Sequence, residues 1–146
     1  MNKIIVIGLG KWGKVLIAEF NKLGYELLVV SKGNSSNIKW LEKNFPNIKC
    51  TKDLNAALIL KDFKSVVIAT PIKTHYKIAK ICLSLGKNVF LEKPPVINLK
   101  DGLELLKLAK TGNKVLFVDN IYAYNTAFSM LEKLIKNSVV QKTIFL

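Results

Sequence analysis

Apolar residues follow two alternating rhythms along this chain. Runs of β-branched and other apolar residues at 3–7, 26–30, 65–69, 88–91 and 115–118, with a shorter one at 49–51, read as strands buried on both faces. Between them the apolar positions fall at helical spacing. The segment 13–23 carries Val15, Leu16, Phe20 and Leu23 and is stopped by Gly24. The segment 38–44 reads as a helix that Pro46 prevents from continuing, and Asp53 can cap a helix over 54–60. Thr74 is the expected N-cap of a helix in which Ile78, Ile81, Cys82 and Leu85 recur at amphipathic spacing up to Gly86. A helix over 99–110 sets Leu99, Leu103 and Leu106 on one side. A last helix over 126–135, with Phe128, Leu131 and Ile135 expected to face inward, leads to an apolar stub at 143–146.

Strands that alternate with helices through short connections call for right-handed crossovers and a mostly parallel sheet. The expected fold is α/β: a doubly wound parallel sheet of six strands with helices on both faces. A length of 146 residues suits one such domain. The apolar half of the composition is spread too evenly for a disordered chain and contains no run long enough to span a membrane. The first residues lack the apolar core and cleavage site of a signal peptide, so the expected location is the cytoplasm.

Charge and thiols alter this picture little. The net charge of +13 invites a nucleic-acid reading, but all 23 basic residues are lysine, scattered from Lys3 to Lys142. Without arginine the chain lacks the planar fork that reads guanine edges, and we expect no nucleic-acid partner. Cys50 and Cys82 are far apart and the chain has one histidine, so both thiols are expected to be structural and no metal site is expected.

Candidate chemistry begins where the first strand ends. Gly8, Leu9, Gly10, Lys11, Trp12 and Gly13 form a G-x-G-x-x-G turn between strand and helix. Gly8 permits the tight turn, Gly10 lets the backbone approach a pyrophosphate, and Gly13 lets helix and strand pack closely. The helix N-terminus adds amide donors and partial positive charge. This is the Rossmann arrangement for a nicotinamide dinucleotide. An NAD site usually has an acidic residue at the end of the second strand; here Ser31 and Lys32 stand there, which suits the 2′-phosphate of NADP in preference to NAD.

Two further segments lie at the carboxyl ends of later strands: Ala69, Thr70 and Pro71 with His75, and Glu92, Lys93, Pro94 and Pro95. With the glycine turn and residues 118–128, these A-T-P-x-x-x-H and E-K-P elements resemble the Gfo/Idh/MocA family, named for glucose-fructose oxidoreductase and inositol dehydrogenase. The resemblance implies an oxidoreductase that transfers a hydride between a nicotinamide cofactor and a hydroxyl or carbonyl of a sugar, cyclitol or nucleotide sugar. It implies that Thr70, Pro71 and His75 lie along the cofactor near the nicotinamide, with Glu92 and Lys93 beside it. Lys93 would contact the substrate hydroxyl. Enclosed there, it would shed part of its hydration and titrate near neutrality as a catalytic donor or acceptor. His75 has the alternative of packing at its helix start.

Tyr124 and Asn125 are expected on the substrate side. The segment that holds them lacks the histidine that often follows the sixth strand in the family and the proline after Tyr-Asn. Family members continue into a second domain that closes over the nicotinamide. Residues 1–120 are therefore expected to form the dinucleotide-binding unit, and 121–146 the helix and stub that would lead into a substrate domain absent from this sequence. Three expectations follow: a sugar-like substrate, self-association or a separate partner chain supplying that domain, and, as the alternative to catalysis, a cofactor-sensing module of the same fold.

Overall fold

A computed structural model describes residues 2–136. Six strands form one sheet: β1 (Lys3–Ile7), β2 (Glu26–Val30), β3 (Lys49–Thr51), β4 (Ser65–Ile68), β5 (Asn88–Leu91) and β6 (Leu116–Val118). Their order is β3-β2-β1-β4-β5-β6, and every neighbouring pair is parallel. The chain winds outward from β1 to β3, then returns to the other side of β1 for β4. Beyond the carboxyl ends of β1 and β4 the connections diverge, which opens a crevice there.

The helices cover both faces: α1 (Lys11–Lys22), α2 (Ser35–Asn44), α3 (Leu54–Leu58), α4 (Ile72–Ser84) and α5 (Leu99–Thr111). Alternation along β1 divides the core between them. Ile4 and Val6 pack with Ile17 of α1 and Leu41 of α2, while Ile5 and Ile7 pack with Ala57 and Leu58 of α3, Ala79 and Cys82 of α4, and Leu105 and Ala109 of α5. A sheet covered on both faces accounts for strands that read as continuous apolar runs.

Several sequence expectations shift in this packing. Ile17 anchors α1, whereas Val15 and Leu23 are exposed. The helix after β4 begins before Thr74. Pro71 is its N-cap, and the Thr74 hydroxyl donates to the Pro71 carbonyl at 2.7 Å from inside the first turn. On α5 the outward side is the one bearing Leu99, Leu103 and Leu106; Leu105 and Ala109 face the sheet. Cys50 is exposed on the edge strand β3, unlike buried Cys82, whose thiol burial pushes up to about 12. Asp53 caps α3 as expected, accepting from the Ala56 amide at 2.9 Å.

After β6 comes a 3-10 turn, Ile121–Tyr124, which the sequence pattern did not suggest, and then α6 (Thr126–Lys136). Phe128, Leu131 and Ile135 are exposed on α6 rather than inward. The principal contact of α6 is with the 3-10 turn, including Tyr122 and Phe128 rings 5.3 Å apart, and not with the sheet. Helical periodicity reports that a face is apolar, not what it meets. The stub at 143–146 lies outside the described residues. Among the described residues no helix is long and apolar enough to cross a membrane, and no cluster of three or more His, Cys, Asp or Glu is placed to hold a metal.

Candidate cofactor site

The crevice between β1 and β4 is built from glycines that meet backbone. Gly8 has φ +107°, a conformation other residues rarely adopt, and a Cβ there would collide with the Ala69 carbonyl and lie 3.2 Å from Thr70 Cγ2. A Cβ on Gly13 would collide with the Gly8 carbonyl. These two glycines press the turn onto the end of β4 and α1 onto the turn. Gly10 differs, because a Cβ there would meet nothing within 4 Å. That open space is what a phosphate approaching the backbone requires.

Gly10 is also the N-cap of α1, with no side-chain cap and no acidic residue in the first turn. The amide dipoles of α1 therefore face outward without a competing carboxylate. Leu9 is buried with its side chain in the core, so only its backbone is available to a ligand. Lys11 and Trp12 are exposed at the start of α1. A dinucleotide pyrophosphate fits this arrangement.

At the end of β2, Ser31 and exposed Lys32 lead to Gly33, which has φ +94°. The Ser31 amide donates to the Thr51 carbonyl at 2.9 Å, so the ends of β2 and β3 stay together. This places Lys52 beside Lys32's loop: a Cβ on Gly33 would lie 3.1 Å from Lys52 Cε and 3.6 Å from its Nζ. Sequence reasoning missed Lys52, since it lies 20 positions from Lys32 and only the β2-β3 pairing joins them.

On the β4 and β5 side the A-T-P-x-x-x-H and E-K-P elements do converge. His75, 2% exposed on α4, has Nε2 2.7 Å from the Thr70 carbonyl oxygen and Nδ1 3.0 Å from that of Pro94. The ring is buried between the two turns. Ala69 and Thr70 are half-buried and Pro71 is exposed, and the Thr74 hydroxyl is 2.7 Å from Thr70 Oγ1.

Glu92 at the end of β5 is 5% exposed, and its Oε2 accepts from the Lys93 amide at 3.2 Å. Its Oε1 is buried with no hydrogen-bond partner. Burial foremost, and then the Asp119 carboxylate at the end of β6, hold its carboxyl above the usual carboxylate range, against the opposing pull of the Lys93 amide and the charges of Lys93 and His75. Sequence reasoning also missed Asp119, which only the β5-β6 pairing brings beside Glu92. Lys93, just past the carboxyl end of β5, is exposed, not enclosed.

Tyr124 is 73% exposed, and the Asn125 side chain accepts from the Ala127 amide at 2.9 Å, at the start of α6. A cleft of about 430 Å³ lies between the 3-10 turn and α6, lined by Asn120, Tyr122, Ala123, Phe128, Ser129 and Glu132. Tyr122, rather than Tyr124, faces it.

Residues 2–120 match the GFO_IDH_MocA family model, described as an oxidoreductase family with an NAD-binding Rossmann fold. The chain is 29% identical over 136 residues to inositol 2-dehydrogenase of Rhodococcus jostii, covering 91% of this chain and 37% of that protein. It is 27% identical over 134 residues to a 1-carboxy-3-chloro-3,4-dihydroxycyclohexa-1,5-diene dehydrogenase of Comamonas testosteroni, covering 91% of this chain and 34% of that protein. The chain thus spans about a third of the length of these relatives. Among solved structures, GenD2 from gentamicin A biosynthesis, in complex with NAD, superposes with a TM-score of 0.82 at 27% identity, over 94% of this chain and 39% of that one.

Proposed function

We propose that this chain, which belongs to the Gfo/Idh/MocA oxidoreductase family and carries its NAD-binding Rossmann fold, serves hydride transfer between a nicotinamide cofactor and a ring hydroxyl of a sugar or cyclitol. The observation that carries the cofactor reading is the division of labour among three glycines: Gly8 and Gly13 are held by backbone contacts, while Gly10 opens onto free space at a helix N-terminus. In this reading Gly8, Leu9, Gly10, Lys11, Trp12 and Gly13 receive the pyrophosphate, and Ala69, Thr70, Pro71, Glu92 and Lys93 flank the nicotinamide. Residues 1–120 form the cofactor unit, and the segment from 121 onward leads toward the part of the family fold that meets substrate.

Bound at this site, the nicotinamide would supply the hydride acceptor or donor. The chain's own contribution is to orient it and to manage a proton. Lys93, exposed beside a buried carboxyl, is the group we assign to the substrate hydroxyl, as donor or acceptor of its proton. Two similar proteins, the inositol dehydrogenase and the dihydroxycyclohexadiene dehydrogenase, carry hydroxylated six-membered rings in their names, which supports a ring hydroxyl as the substrate group. Tyr124 and Asn125 stand as the substrate-side residues of the reading. The family relationship favours this oxidoreductase role over a cofactor-sensing module.

For the cofactor's adenosine end we infer NADP in preference to NAD. No carboxylate occupies the end of β2, and Ser31, Lys32 and Lys52 gather there instead. Two cations and a hydroxyl suit a phosphate monoester better than a bare ribose diol. Titration with NADPH and with NADH, followed through tryptophan fluorescence, tests this: NADPH is expected to bind tighter by about tenfold, and tighter NADH binding sinks the preference.

A further inference from the structure

His75 is the only histidine in the chain, and the site's two nicotinamide-side turns meet on it. Both of its ring partners are carbonyl oxygens, at 2.7 Å and 3.0 Å, and a carbonyl only accepts. A neutral imidazole has one N–H and one bare nitrogen. It would satisfy one carbonyl and set a lone pair against the other. The doubly protonated ring donates to both.

The corner also holds two carboxyl groups. Glu92, at the end of β5, is buried, and His75, Lys93 and Asp119 all act on its carboxyl, with Asp119 reaching in from the end of β6. The same ring spans the two turns mechanically: Thr70 belongs to the turn against which Gly8 packs, and Pro94 follows Lys93 directly.

We propose that His75 is a positioning residue that donates from both ring nitrogens, to the Thr70 and Pro94 carbonyls at once, and so fixes the Lys93–Pro94 turn against the Thr70–Pro71 turn. This goes beyond a contact between His75 and the cofactor, since a ring engaged at both ends has no nitrogen left for a ligand. It rests on the reading that these turns flank the nicotinamide.

Two measurements test it. In the full chain labelled with 15N-histidine, the single imidazole gives an unambiguous long-range proton-nitrogen spectrum. Both ring nitrogens are expected to carry protons in the folded chain, one for each carbonyl; a bare nitrogen on a single neutral tautomer overturns the proposal without recourse to any variant. The second measurement compares wild type with His75→Gln for binding NADPH and ADP, the latter having no nicotinamide riboside. The variant is expected to bind NADPH about tenfold more weakly and ADP within about twofold of wild type. Equal losses for both ligands, or no loss for either, overturn the positioning role. A wild type that binds ADP as tightly as NADPH would instead fail the nicotinamide-side reading, and this role with it.

Discussion

The α-carbon of Gly13 faces the carbonyl of Gly8 so closely that a side chain on residue 13 would overlap it. The obstacle is backbone, which cannot swing aside as a side-chain end does. Gly13→Ala is therefore expected to lower unfolding stability by about 3 kcal/mol or more, at the upper end of overpacking costs. Urea denaturation of wild type and variant measures this; a change under about 1 kcal/mol would mean that α1 moves off the turn easily.

Lys32 and Lys52 make a prediction specific to one cofactor. Lys32 precedes Gly33 and the Lys52 side chain lies beside that glycine, and on our reading both lysines face the 2′-phosphate. Lys32→Ala and Lys52→Ala are each expected to weaken NADPH binding about tenfold, as loss of a charge-assisted hydrogen bond does, with NADH binding nearly unchanged. Equal losses for both cofactors would assign the lysines a general electrostatic role instead.

The buried carboxyl of Glu92 ties stability to pH. Its folded pKa is raised above the ordinary 4.5, mainly by burial, so the protonated form is favoured in the native state. That contribution is complete below 4.5 and is lost as pH rises through the higher folded value. Glu92→Gln keeps an acceptor for the Lys93 amide and removes the titration. The variant is expected to gain on wild type as pH rises from about 4.5 to 7, where the buried carboxyl of the wild type must ionise. Chemical denaturation across that range measures the difference; parallel curves would contradict the assignment.

Helix α5 shows how far the sequence could be read. Leu103, Leu105 and Leu106 are chemically identical, and two leucine rows overlap along this helix, so periodicity alone could not choose the inner one. The structure buries Leu105 at 1% exposure and leaves Leu103 at 56%. Leu105→Ala is expected to cost about 2 to 5 kcal/mol and Leu103→Ala under about 0.5 kcal/mol. Thermal denaturation of the two variants separates them.

The same limit applies at α6, whose apolar face was expected to point inward and is exposed. By contrast, the six-stranded parallel sheet with helices on both faces was legible, because short connections and two-sided burial leave few alternatives to a doubly wound sheet. Of the site, the glycine turn and its neighbour at Ala69 and Thr70 could be read from local motifs. Lys52 and Asp119 could not, because each reaches the site through pairing with a strand distant in sequence.

Gly10 offers the most direct test of cofactor binding at this turn, because only there does a methyl group enter the phosphate space without touching protein. NADPH titration of wild type and Gly10→Ala, beside their urea denaturation curves, should show stabilities within about 1 kcal/mol and binding weakened more than about tenfold in the variant. Unchanged NADPH affinity in a folded Gly10→Ala variant, or no saturable binding by wild type, would contradict a dinucleotide seated on this turn.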